Sequence, residues 1–254
     1  FYTYLSTLLL VMEAAAENIT KVSLELGGKA PAIVCADANM ELAVNAVVSS
    51  RVIFSGQVCN CAERVYVEDS IFDEFMDKVA KKMSEVKVED AFSENNPDMS
   101  SMVSKDQLDK VSEMVEFAKK EGAEVVVGGG RSAGFDKGYF YQPTLLTNVK
   151  QDMQIVQEEV FGPVLPVLKF STLDEAIAMS NDSEFGLTSS IFSENFNKVM
   201  HACDQLDFGE TYVNREHFEA IQGFHAGWKK SGLGGADGKH GMEEYLQTKV
   251  IYAQ

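Results

Sequence analysis

Short runs of branched apolar residues alternate along this chain with longer segments whose apolar residues recur every three or four positions. That alternation restricts the chain to an α/β fold with a largely parallel sheet, because parallel neighbours need a crossover and a helix supplies it. Residues 32–35, 64–67, 125–127, 164–170 and 188–192 read as strands. Asp37 or Asn39 is expected to cap a helix running through Leu42, Val44 and Val47. Ser104 with Gln107 opens another, which carries Leu108, Val111, Val115 and Ala118 and stops near Gly122. Ser70 with Asp73 and Thr172 with Glu175 resemble capping boxes, and Ile71, Phe75 and Val79 share one face behind the first.

The polar stretch 89–101, with Asn95-Asn96-Pro97, reads as a surface loop, and residues 128–138 as a hairpin-type excursion. From Lys229 the character changes. Five glycines precede Tyr245-Leu246-Gln247-Thr248-Lys249-Val250-Ile251-Tyr252, a β-rich tail whose exposed edge is expected to pair with another sheet.

At 254 residues the chain is long enough to bury a sizeable core. Its 22 Lys and Arg against 39 Asp and Glu give a net charge of −17, which argues against broad binding to nucleic acid or anionic membrane. The longest apolar run, Leu8-Leu9-Leu10-Val11-Met12, is far short of the ~20 residues that cross a bilayer. Residues 1–11 lack a basic leader and a cleavage site, so no secretory signal is expected. The chain opens on Phe rather than Met, so a processed or incomplete product is expected. Cys35, Cys59, Cys61 and Cys203 are too scattered for a disulfide framework, which points to a reducing cytoplasm. Cys59-Asn60-Cys61 has no second Cys or His pair at zinc-like spacing, and His201, His217, His225 and His240 are dispersed, so no metal site is expected.

Two glycine-marked segments carry the chemistry. Glu25 precedes Gly27-Gly28, and Gly56-Gln57-Val58 leads into Cys59, 34 residues after Glu25. A thiol with an ordinary pKa near ~8.5 is mostly protonated at neutral pH, so a cysteine that attacks a carbonyl needs a base, a helix N-terminus or a cation beside it. Glu25 is a candidate for the first and a helix starting near Cys59 for the second. Cys35 and Cys203 read as structural.

The segments Leu24-Glu25-Leu26-Gly27-Gly28-Lys29-Ala30-Pro31 and Gly56-Gln57-Val58-Cys59 resemble the glutamate and cysteine motifs of the aldehyde dehydrogenase superfamily, in the same order and at that family's separation. From about residue 12 to residue 252 the chain is similar to the catalytic half of such an enzyme, leaning toward the lactaldehyde and glycolaldehyde dehydrogenase branch. The resemblance implies an aldehyde-dehydrogenase-like catalytic domain over residues 22–228, a remnant of the preceding cofactor-domain region over 1–21, and a C-terminal oligomerisation segment with its strand over 229–254. Self-association as a dimer or tetramer follows from it.

The resemblance also assigns roles. Cys59 attacks the aldehyde carbon to give a thiohemiacetal whose oxyanion is held by the backbone N–H of Cys59. Hydride passes to NAD, with NADP left open as the lesser alternative, and Glu25 activates the water that hydrolyses the resulting thioester. Glu158-Glu159-Val160-Phe161-Gly162-Pro163 matches a third motif, in which Glu159 holds the nicotinamide ribose and Phe161 packs near the ring. Asn60 and His225 resemble residues lining the substrate pocket, where either side chain can hydrogen-bond the 2-hydroxyl of a short hydroxyaldehyde.

Departures from the family pattern are Phe54, where relatives often carry Asn, and Met99-Ser100-Ser101-Met102 in place of a Met-Gly-Pro-Leu-type stretch. Phe54 is expected to alter the packing under Cys59. A phosphate-binding Rossmann half belongs before residue 12, and Gly128-Gly129-Gly130 does not supply its G-x-G-x-x-G. A cofactor-free thiol hydrolase and a catalytically silent assembly subunit remain open beside the dehydrogenase.

Overall fold

The computed structural model describes residues 3–254. Helix α1 (Thr3–Ala16) precedes a short strand β1 (Leu24–Glu25). Strands and helices then alternate: β2 (Ala30–Val34), α2 (Met40–Val52), β3 (Ala62–Glu68), α3 (Phe72–Ser84), α4 (Lys105–Glu121), β4 (Glu124–Val127), β5 (Thr144–Thr147), α5 (Gln154–Gln157) and β6 (Val164–Phe170). They continue as α6 (Leu173–Asn181), β7 (Phe185–Gly186), β8 (Thr188–Phe192), α7 (Phe196–Gln205), β9 (Glu210–Val213), β10 (Trp228–Lys229), β11 (Gly232–Leu233) and α8 (Gly238–Glu243).

Seven strands form one sheet in the order β4-β5-β6-β3-β2-β8-β9, parallel throughout except for β4 against β5. Because side chains alternate across a strand, both faces of this sheet are apolar. Ile33, Tyr66, Leu168 and Ile191 pack on one face with Leu108, Val111 and Val115 of α4, Ile177 of α6 and Ala202 of α7. Ala32, Val34, Val65 and Val67 pack on the other with Val44 and Val47 of α2 and Phe75 and Val79 of α3. The result is a three-layer helix–sheet–helix architecture.

The caps expected at three helices are formed. Asn39, Ser104 and Thr172 accept hydrogen bonds from the backbone N–H groups of Leu42, Gln107 and Glu175, and Gly122 closes α4 at φ 107°. Ser70 differs. Residues 69–71 form a 3-10 turn and α3 starts at Phe72 without a side-chain cap, since that tight turn occupies the place of a capping box and Asp73 is a methylene shorter than the Glu the box uses.

The expected C-terminal strand also differs. Residues 246–254 take no strand conformation, and Tyr245, Leu246, Val250, Ile251 and Tyr252 are exposed. A strand requires a neighbouring edge to hydrogen-bond, and the segment meets none among the described residues of its own chain. The earlier part of 229–254 is instead tied to the body by antiparallel pairs, β10 with β7 and β11 with β1.

Candidate active site

The residues singled out by sequence lie where loops enter the N-terminal ends of strands: Gly28 before β2, Cys59 and Asn60 before β3, Glu159 and Phe161 before β6. Helix α2 ends at Val52 and the chain turns sharply through 53–56, with Phe54 at φ 46°, Ser55 at 58° and Gly56 at 72°. A Cβ on Gly56 would lie 2.3 Å from the Gly162 carbonyl oxygen, so only glycine fits there. This corrects two expectations. No helix begins at Cys59, because the segment is a turn running into β3, and Phe54 is 72 % exposed rather than packed beneath the thiol.

A buried ion cluster fixes the loops to one another. Lys29 donates to Glu63 Oε2 at 2.8 Å and to the Ile155 carbonyl at 2.9 Å, and Arg51 reaches Glu63 Oε1 at 3.1 Å. Burial alone would raise the Glu63 pKa, but the two cations overcome it and hold the carboxyl down at about 2. Glu63 also accepts the backbone N–H groups of Val160 and Phe161, both at 3.1 Å. Gln107 closes the same loop from the other side by donating to the Val160 and Phe161 carbonyls. Phe161 is thereby held at φ 55°, a left-handed conformation unusual for an aromatic residue.

Asn60 and His225 each engage a glutamate. His225 Nδ1 meets Glu210 Oε1 at 2.5 Å. Interaction with Cys59 first and with Glu210 second pushes the His225 pKa up to about 10 against the opposing effect of burial. Asn60 is buried and its amide donates to Glu219. A surface groove of about 500 Å³, lined by residues including Asn39, Asn45 and Asn214, contains none of these groups.

Glu159 and the glutamate motif also meet. The Gly28 N–H donates to Glu159 Oε1 at 2.8 Å, and a Cβ on Gly28 would come within 2.7 Å of the Cys59 carbonyl. The Gly27-Gly28 backbone therefore lies directly between the thiol loop and the Glu159 carboxylate. Burial, and then repulsion from Glu63, raise the Glu159 pKa to about 7. A Cβ on Gly27 would fall 2.4 Å from Glu159 Oε2, so the missing side chain makes the room this carboxylate occupies. Glu25 sits at the end of β1, exposed to solvent, and its strand is anchored by pairing with Gly232.

Sequence reasoning missed Lys29, Arg51, Glu63, Glu210 and Glu219. Lys29 stood inside a quoted motif and Glu63 close behind Cys59. Glu210 and Glu219 had no local signal, because their approach depends on the β8–β9 pairing and on the bridge between His225 and Ala236.

This chain belongs to the aldehyde dehydrogenase family, whose model matches residues 6–251. Among curated relatives it is 57 % identical to the lactaldehyde dehydrogenase of Escherichia coli (strain K12) over 244 residues, covering 96 % of this chain and 50 % of that protein. The crystal structure of lactaldehyde dehydrogenase from Escherichia coli superposes with a TM-score of 0.96 at 56 % identity, covering 99 % of this chain and 52 % of that one. A structure of 3,6-anhydro-L-galactose dehydrogenase in complex with NAP gives 0.93 at 46 % identity, covering 96 % and 51 %. The chain thus spans about half the length of the relatives it matches.

Proposed function

We propose that this chain is the catalytic half of a nicotinamide-dependent aldehyde dehydrogenase that oxidises small hydroxyaldehydes such as lactaldehyde or glycolaldehyde to carboxylic acids. The observation that carries the reading is the placement of Cys59 against the Gly27-Gly28 backbone, which also meets the Glu159 carboxylate.

Cys59 is the nucleophile. Its sulfur forms a bond to the aldehyde carbon while the carbonyl electron pair moves to oxygen, which the Cys59 backbone N–H stabilises. Asn60 and His225 orient the 2-hydroxyl of the substrate. The carbon then gives up hydride and becomes a thioester. Glu25 takes a proton from water, the water oxygen attacks the thioester, and the carbon–sulfur bond breaks to release the acid and restore the thiolate. Exposure of Glu25 gives it direct access to solvent water.

Glu159, with Phe161 beside it, fits the nicotinamide ribose: a carboxylate with one oxygen on Gly28 N–H retains acceptor capacity for hydroxyl donors. When bound, the dinucleotide supplies the hydride acceptor. NAD is the expectation, with NADP open, because the adenosine side lies outside the matched half. We assign the division 1–21, 22–228 and 229–254 as cofactor-domain remnant, catalytic domain and oligomerisation segment. The exposed apolar residues 245–252 support pairing with another copy. Four free cysteines support a cytoplasmic location, and no described helix is long and apolar enough to cross a membrane.

A thiol esterase is the second reading, favoured by His225, which pairs with Glu210 and whose pKa is raised by Cys59. The test is to follow NADH formation from lactaldehyde and release of p-nitrophenol from its acetate ester, for the parent protein and Cys59→Ala. NADH formation that disappears in Cys59→Ala supports the dehydrogenase. Ester cleavage lost in Cys59→Ala, with no NADH from the parent, supports the esterase. NADH formation that survives in Cys59→Ala removes Cys59 from the mechanism.

A further inference from the structure

We propose that Arg51 is a positioning residue for the nucleophile: its guanidinium ties together the two ends of the loop that carries Cys59, and so fixes the sulfur and the Cys59 backbone N–H in the geometry that attack on a carbonyl requires. The proposal rests on the reading of Cys59 as nucleophile and adds the group that holds it in place.

Arg51 lies in the last turn of α2, and none of its side chain is exposed. One terminal nitrogen, Nη2, donates to the Gly56 carbonyl. The other, Nη1, donates to the Ala62 carbonyl at 2.9 Å and stands 3.1 Å from Glu63 Oε1. Gly56 and Ala62 bracket the segment 57–61, so one rigid planar group sets the separation of the loop's ends. Ser50, the preceding residue of α2, strengthens the grip by accepting the Ala62 N–H at 2.9 Å. Inside the loop the Cys61 N–H turns back onto the Val58 carbonyl at 3.2 Å, and the Asn60 carbonyl accepts the Thr188 hydroxyl at 3.1 Å.

Charge balance alone does not call for an arginine here. Glu63 already has Lys29 at 2.8 Å, and a lysine at position 51 would supply a second cation. Its single nitrogen could not hold two carbonyls and a carboxylate in one plane, which the guanidinium fork does. The difference matters for reactivity because a displacement of about 1 Å at a reacting group can cost about 10²-fold in rate. Loss of one aligned oxyanion donor costs about 10²–10³-fold.

The test is the acetylation of Cys59 by p-nitrophenyl acetate in the 254-residue chain, compared between the parent and Arg51→Lys by rapid quench and peptide mass spectrometry. In this step the sulfur bonds to the acyl carbon and p-nitrophenolate leaves with the electron pair of the broken carbon–oxygen bond, so no dinucleotide is needed. Arg51→Lys is expected to slow acetylation at least tenfold while its final extent stays near that of the parent. An unchanged rate would overturn the proposal: at full extent a cation at position 51 is all the loop needs, and at reduced extent Arg51 serves folding alone. A parent in which Cys59 is not acetylated would remove the nucleophile reading, and this proposal with it. Amide hydrogen exchange in the parent covers an Arg51→Lys protein that fails to fold. Residues 57–61 are expected to exchange at least tenfold more slowly than the surface loop 91–96, and equal exchange in the two would overturn the proposal.

Discussion

A carboxylate's work in this site is set by what surrounds it, and the glutamates divide accordingly. Glu25, the proposed base, is exposed. Replacing it with Gln should cost on the order of 10²–10⁴ in steady-state turnover while leaving the first turnover intact, measured by stopped-flow NADH absorbance. Glu159 stands near 7 because burial and Glu63 oppose its charge. A carboxyl raised above its unfolded value of ~4.3 contributes stability that is complete below that pH and is lost as pH rises through about 7. Thermal unfolding should therefore show the parent losing Tm between pH 5 and 8, with that component missing in Glu159→Gln. An unchanged pH slope in the variant would contradict this assignment.

Elements are held in place by interactions of very unequal worth. Ser104→Ala removes one helix cap and should destabilise by about 1 kcal/mol in urea unfolding. Glu63→Ala strands Lys29 and Arg51 without their carboxylate and frees the loop at Val160 and Phe161, so about 3–5 kcal/mol is expected. The same inequality explains what the sequence revealed. The caps at Asn39, Ser104 and Thr172 are local, and apolar periodicity delivered β6 over 164–170 and β8 over 188–192 as they stand. The Ser70 box was legible as a pattern but a 3-10 turn took its place. The Cys59, Glu25 and Glu159 motifs were legible through family resemblance. Glu210 and Glu219 were not, since a lone acidic residue gives no sign that the fold will bring it to His225 or to Asn60.

At the scale of the whole molecule, the sheet places Gly28, Cys59 and Glu159 at the N-terminal ends of its strands, opposite to the usual placement of ligand sites in open α/β sheets. Deleting residues 245–254, which are exposed and form no strand, should abolish self-association in analytical ultracentrifugation while leaving the circular dichroism of the body unchanged. The measurement that bears most directly on the proposed chemistry is the intact and peptide mass of the Glu25→Gln protein after mixing with lactaldehyde and NAD. With water activation removed, a lactyl group is expected to accumulate as a thioester on Cys59, accompanied by a burst of one NADH per active chain. NADH formed over many turnovers with Cys59 unmodified would contradict both the nucleophile and the base.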